Sequence, residues 1–348
     1  VPPDDVKHAA LAALTREVML PLAYPFTRGA ATILMLHRFA SEALGNPGHA
    51  AETLRRHLAF LRRHRFELVP LADLVARLER GDPPLHKAVT FTVDDGYGDF
   101  ASVGAGIFAE FDCPVTVFVV TGFLDRRLWL WWDQVEFMLT GTRRAEVDVD
   151  MGDASLRYRI PDTRTREGVC ADLVERLKRV DDATRRAALA RLALDLDVEV
   201  PATPPPRYAP MTWDEARRCA HGGATFGPHT VTHPILSRVG DRQADAEISE
   251  SWRRVRTEIP HAPAIFCYPN GDLDSFTARE PWLLRTHGLA AALTTVDDYA
   301  SPRLFRSNGG SGRYAIPRFP YLEQDAAFRQ IVSGLERAKR RARGLLRQ

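Results

Sequence analysis

Two short polar clusters carry the candidate chemistry of this 348-residue chain. Asp94-Asp95-Gly96 follows the apolar run Val89-Thr90-Phe91-Thr92-Val93, and His229-Thr230-Val231-Thr232-His233 follows Ala224-Thr225-Phe226-Gly227-Pro228. One carboxylate and two imidazoles form a three-ligand set for a divalent cation, with coordination positions left for water and substrate. The second carboxylate is then spare and can accept a proton from water, since a cation beside it keeps it ionised at neutral pH. His229 and His233 are four residues apart, which puts both rings on one side if a helical turn starts there. Hydrolysis also needs a proton donor for the leaving group, and His37 is the candidate. The turn Tyr268-Pro269-Asn270-Gly271 offers a backbone N–H to a developing oxyanion.

These residues need elements that bring them together. Ala31 to Leu36 reads as a buried strand ending at His37, and residues 88 to 93, 115 to 120, 224 to 228, 263 to 268 and 289 to 295 read as further strands. Helical patterns lie between them at 52–64, 71–80 (stopped by Gly81 and Pro83-Pro84), 99–111, 212–220, 241–258 and 278–287. This alternation implies an α/β fold of parallel strands with crossover helices, whose active residues collect at the carboxyl ends of the strands. His37, Asp94-Asp95, His229 and Tyr268 to Gly271 each stand just past a strand and would converge on one rim. Gly and Pro residues from 301 to 320 suggest short extended pieces joined by turns.

The rhythm breaks at about 125–210, read as an insertion that is largely helical, with a long charged helix from about 167 to 197. Trp129, Trp131 and Trp132 in it either stack on sugar rings or pack its core. Residues 1–30 read as an N-terminal helical segment and 31–348 as the main domain. A net charge of +2 and the absence of an aromatic-rich basic stripe argue against nucleic acid as a partner. The stretch Arg337 to Arg347 holds six basic residues and no acid, a solvated helix end or a peripheral contact with an anionic membrane. Four scattered cysteines show no zinc-knuckle or redox spacing, and no apolar run reaches membrane-spanning length. Free thiols and the lack of a signal-like core favour a cytoplasmic location.

Taken together, the motifs resemble those of the polysaccharide deacetylase superfamily (NodB-homology, carbohydrate esterase family 4). Thr92-Val93-Asp94-Asp95-Gly96 is similar to its first motif, His229 to His233 to its second, and Cys267-Tyr268-Pro269-Asn270-Gly271 to its third. The resemblance covers roughly residues 31 to 122 and 211 to 320. It implies a distorted (β/α)-barrel of about seven strands, Asp94 as catalytic base, and Asp95, His229 and His233 as metal ligands. The ligand set suggests zinc, with cobalt, nickel or manganese as substitutes. The family's acid-bearing motif usually lies near the C-terminus. Here Ile33-Leu34-Met35-Leu36-His37 precedes the first motif, a permuted order similar to that of exopolysaccharide deacetylases.

Three departures from the family pattern shape further expectations. Cys267 stands where an arginine usually pairs with the base, and Arg318 is the expected substitute, since a cation near Asp94 would hold it ionised. Asn270 replaces an aromatic, leaving its backbone N–H for the oxyanion. An Asp-Trp motif is missing, and Asp297 or Asp298 is the expected partner orienting His37. The implied activity is metal-dependent removal of N-acetyl groups from amino-sugar residues of a glycan or glycoconjugate. Alternatives are a deformylase or amidase acting on a non-polymeric C–N substrate, an O-acetyl esterase, or an inactive glycan-binding module.

Overall fold

The computed structural model describes residues 13–81, 85–151 and 155–345. Its strands are β1 (Ala31–Leu36), β2 (Glu67–Leu68), β3 (Ala88–Val93), β4 (Val115–Val119), β5 (Glu146–Asp150), β6 (Ser155–Arg159), β7 (Thr225–Pro228), β8 (Ile265–Cys267), β9 (Ala291–Leu293) and β10 (Phe319–Pro320). Its main helices are α1 (Ala51–Arg63), α2 (Leu71–Arg80), α3 (Ala105–Glu110), α4 (Trp131–Gly141), α5 (Thr163–Leu177), α6 (Asp182–Asp195), α7 (Trp213–His221), α8 (Asp241–Glu258), α9 (Arg279–Thr286), α10 (Asp325–Val332) and α11 (Leu335–Leu345).

A parallel sheet runs in the order β10-β1-β3-β4-β7, with β2 added to the start of β3. β8 and β9 form a separate parallel pair. Ile316 bridges Leu293 of β9, while Phe319 pairs with Leu34 of β1, so the last segment lies between β9 and β1. On the other side, a Cβ added at Gly227 of β7 would stand 2.8 Å from the carbonyl oxygen of Ile265 in β8. The strands therefore trace the circuit of a distorted seven-stranded barrel whose ladder is broken between β7 and β8. Only glycine lets the two backbones approach so closely there.

Strand alternation sorts the side chains. Val89, Phe91 and Val93 of β3 pack outward with Phe60, Phe108 and other helix residues. Ile33, Phe118, Ile265, Cys267, Leu293 and Ile316 form a second buried cluster with Leu74 and Leu78 of α2. Each such buried side chain is worth roughly 1.5–3 kcal/mol relative to exposure. Thr92 shares the face of Asp94 and donates to the carbonyl of Leu34, satisfying its hydroxyl inside the barrel.

The insertion has its own core of Val135, Met138, Leu139, Val147, Val149, Leu173 and Leu192. It is not a bundle of helices alone. β5 and β6 form an antiparallel hairpin in which Val147 and Val149 are buried between exposed acids. The expected long helix is also two: α5 ends at Leu177, and Asp181 starts α6 by accepting from the backbone N–H groups of Ala183 and Thr184. The expected helix at 99–111 enters through a wide turn, Phe100–Gly104, before α3.

At the N-terminal end, residues 1–12 of the expected helical segment lie outside the described residues. Residues 15–19 are turns, ahead of one-turn helices at Leu20–Ala23 and Tyr24–Thr27. Gly81 ends α2 in the left-handed region, as expected, while Pro83-Pro84 lies outside the described residues. Between β9 and β10 the chain forms short helical turns, Pro302–Phe305 and Asn308–Tyr314, where extended pieces were expected. Arg347, the last of the basic stretch, also lies outside. Among the described residues no helix is long and apolar enough to cross a membrane.

Candidate active site and metal centre

β3 carries Asp94 and Asp95 to the carboxyl rim of the barrel. The ladder continues one residue further, with the Asp94 N–H donating to Leu36. Asp95 then enters the left-handed region at φ 74°, followed by Gly96 at φ 88°, and this reversal separates the two carboxylates. Positive φ at a non-glycine residue is locally unfavourable and is common at functional sites.

Asp94 is buried and gripped by Arg318, which has no exposed surface. Nη1 of Arg318 donates to Oδ1 and Nη2 to Oδ2, both at 2.8 Å. The guanidinium also donates to the carbonyl of Thr294 at 2.9 Å, to Thr92 Oγ1 at 3.0 Å and to Cys267 Sγ at 3.1 Å. Burial alone would raise the pKa of Asp94, but the charge and hydrogen bonds of Arg318 outweigh it and hold the carboxyl well below the usual range. The structure thus brings Arg318 to the place left by Cys267, whose own thiol is pushed up by burial.

Asp95 faces the two histidines. Its Oδ1 lies 3.6 Å from His229 Nε2 and 3.5 Å from His233 Nε2. The segment 229–233 is a loop, not the helical turn that the four-residue spacing suggested. Thr230 and His233 both have positive φ, 68° and 57°, and the imidazole rings meet edge to face at 4.8 Å. Glu247 of α8 holds this loop by accepting from the backbone N–H groups of Val231 and Thr232 and from the Thr232 hydroxyl.

The donor set fits a divalent cation. The three ligand atoms lie within 4.8 Å of one another, and ligands about 2.1 Å from a shared ion are spaced by roughly 3–4 Å. His229 Nδ1 bonds the carbonyl of Cys267 at 2.8 Å, which makes Nδ1 the donor and leaves the Nε2 lone pair facing Asp95. Burial lowers the pKa of His229 to about 4 and holds that of His233 well below its ordinary value, so both rings are neutral at neutral pH, the state that binds metal. Burial, then the neighbouring Asp94, raises Asp95 well above its ordinary value, a repulsion that a bound cation would offset.

His37 follows β1 and opens onto the same cavity, about 720 Å³ in volume, that Asp94, Asp95, His229, His233 and Asn270 line. Its depth in the protein lowers its pKa, the Asp94 charge opposes this, and exposure of the residue to the open cleft tempers the desolvation. Neither Asp297 nor Asp298 orients it. Asp298 instead pairs with Arg340 and accepts from its neighbour's N–H, while the Asp297 carbonyl accepts from Arg340, because α11 covers that segment. Asn270 has φ 63°; its amide is tied to Asp272 and Ser275, and its carbonyl accepts from Thr295. Its backbone N–H is taken by no group among the described residues.

Trp131 and Trp132, singled out in the sequence, line the cavity, and Asp133, Glu136 and Lys178, which the sequence reading missed, complete that wall, so the insertion borders the site. Trp129 does not face the cavity; it stacks on Tyr208 and donates to Pro201. Tyr97, two residues after Asp95, donates to buried Asp133 at 2.7 Å. The one sequence signal was the placement of Tyr97 and Asp99 directly behind the first motif.

Residues 200–291 match the family model described as polysaccharide deacetylase. No curated protein sequence matches the chain. Among solved structures, the deacetylase PplD of Streptococcus pyogenes, determined in complex with acetate, is similar over 88% of this chain and 97% of its own, with a TM-score of 0.55 at 16% identity. IcaB from Ammonifex degensii is similar over 87% and 97% of the two chains, with a TM-score of 0.51 at 14% identity. A de-N-acetylase from Aggregatibacter actinomycetemcomitans is similar over 85% and 96%, with a TM-score of 0.50 at 14% identity. The motif residues thus gather on one rim of a fold shared with these deacetylases, and residues 200–291 carry the polysaccharide deacetylase match.

Proposed function

We propose that this protein is a metal-dependent hydrolase that removes N-acetyl groups from amino-sugar residues of a polysaccharide or glycoconjugate. The supporting observation is the buried Asp95–His229–His233 trio beside a second carboxylate, Asp94, held ionised by Arg318. A divalent cation in the trio, zinc by its imidazole and carboxylate donors, supplies Lewis-acid polarisation of the acetyl carbonyl and acidifies a water.

The chain's own groups do the rest. Asp94 takes the proton of the attacking water, and Arg318 keeps that carboxylate charged and aimed. The Asn270 N–H donates to the oxygen of the acetyl group as it gains charge. His37, carrying a proton, delivers it to the departing sugar nitrogen, so that acetate and a free amine leave.

The test is acetate release from a panel of N-acetylated glycans, using chelated and zinc-restored protein. Activity is expected only after restoration. Asp94→Asn and His37→Ala should cut turnover by about 100-fold or more while sparing metal binding; His229→Ala or His233→Ala should remove both. Full activity in Asp94→Asn would refute this mechanism, and no acetate from any glycan with metal bound would point to a different amide.

A further inference from the structure

We propose that Trp132, contributed by the insertion, is a positioning residue for His233, so that the insertion helps set the affinity of the metal centre. The inference rests on the reading of Asp95, His229 and His233 as ligands. A metal-bound imidazole ordinarily donates its second ring N–H to a carboxylate or carbonyl, which fixes the ring. His229 does so through Cys267, but Nδ1 of His233 is buried and has no hydrogen-bond partner among the described residues.

The His233 ring instead has an aromatic neighbour from the insertion. The Trp132 indole meets the His233 ring nearly perpendicular, at 71°, with centroids 4.6 Å apart. The indole is itself held. Its Nε1–H donates to the Tyr97 hydroxyl at 2.9 Å, and that hydroxyl donates to Asp133 at 2.7 Å. The Arg38 guanidinium covers the Tyr97 ring at 3.9 Å and is anchored on Asp99.

Tyr97 lies on the loop that bears Asp95, and His233 closes the loop that bears His229. Trp132 bridges the two ligand loops from outside the barrel. A ring whose only lateral restraint is packing loses its orientation when the packing group is removed, and ligand misplacement lowers metal affinity.

The experiment titrates Co²⁺ into chelated protein against a chromophoric competitor and records the visible spectrum of the bound ion. Trp132→Ala should weaken Co²⁺ binding about 10- to 100-fold, the range typical of groups that support a metal ligand, and alter the spectrum. Trp132→Phe keeps an aromatic edge and should recover most of the affinity. Trp129→Ala removes a more deeply buried tryptophan from the same insertion without touching His233, and should bind Co²⁺ as the parent does. Equal losses in Trp129→Ala and Trp132→Ala would overturn the proposal in favour of general loosening. If His229→Ala abolishes binding while Trp132→Ala leaves affinity and spectrum unchanged, this proposal alone fails. If His229→Ala still binds Co²⁺ like the parent, the ligand assignment itself is wrong.

Discussion

At the scale of single residues, the decisive arrangement is the Asp94–Arg318 pair with Cys267 beside it. Both partners are buried, so neither charge can be solvated if the other is lost. Arg318→Met should therefore destabilise the protein by about 3–5 kcal/mol at pH 7. The sign of the pH dependence should also change. In the parent, the pKa of Asp94 is depressed, so its contribution is full above the ordinary value of 3.8 and is lost as pH falls below it. In Arg318→Met the orphaned carboxylate is raised instead, and the loss should be smaller at pH 5 than at pH 7.5. Asp94→Asn/Arg318→Met should regain much of the loss, a coupling that urea denaturation of the four proteins would measure. Equal losses in the single and double variants would show that the pair is not the cause. The need for a substitute cation was legible from Cys267, which cannot carry charge to a carboxylate. That Arg318 also satisfies Thr92 and Thr294 was not, because those contacts join three strands distant in sequence.

At the scale of elements, the ligand loop depends on a helix that contributes nothing to the cavity wall. Glu247 of α8 is buried and accepts three hydrogen bonds from Val231 and Thr232, in a loop that also carries two left-handed residues. Without that carboxylate the loop has little reason to keep Thr230 and His233 at positive φ. Glu247→Ala should cost about 3 kcal/mol of unfolding free energy, since bonds to a charged acceptor are among the stronger ones. It should also weaken metal binding, while Glu247→Gln retains part of both; thermal denaturation and metal titration report the two separately. An unchanged metal affinity in Glu247→Ala would mean that the loop keeps its shape unaided. Most barrel strands were legible because each is a short apolar run followed at once by a polar residue, as at Val93-Asp94 and Pro228-His229. The two-residue β2 and the β5–β6 hairpin were not. β2 is too short to show a period, and the exposed acids of Glu146–Asp150 hide the alternation of Val147 and Val149. Tyr97, Glu247 and the contact of Trp132 with His233 escaped notice for a related reason: each acts on a loop far away in the chain.

At the scale of the whole molecule, the barrel is fastened where its first long helix meets its last ones, and His57 is the fastener. It lies on α1, stacks on Phe328 of α10 with centroids 3.9 Å apart, and bonds the Tyr321 hydroxyl at 2.7 Å through Nδ1 and Asp325 at 3.1 Å through Nε2. The acceptor Asp325 must take an N–H, so Nε2 carries the proton and Nδ1 accepts from Tyr321. Burial lowers the pKa of His57 to about 4, outweighing the pull of the partly exposed Asp325, so the ring is neutral at pH 7 and the contact is a hydrogen bond to a carboxylate, not an ion pair. The unfolded chain then takes up a proton near the ordinary value of 6.5 that the folded chain resists. Stability from this site is full above pH 6.5 and is lost as pH falls toward 4, by about 2–3 kcal/mol at the lower end. His229 adds to the same slope in chelated protein, and bound metal steepens it because protons compete for the ligand. His57→Gln can still bond Tyr321 or Asp325 but does not titrate. Urea denaturation of chelated protein at pH 7, 6, 5 and 4.5 should show a shallower fall for His57→Gln than for the parent. Parallel curves for the two proteins would mean that His57 is protonated in the fold and pairs with Asp325 after all.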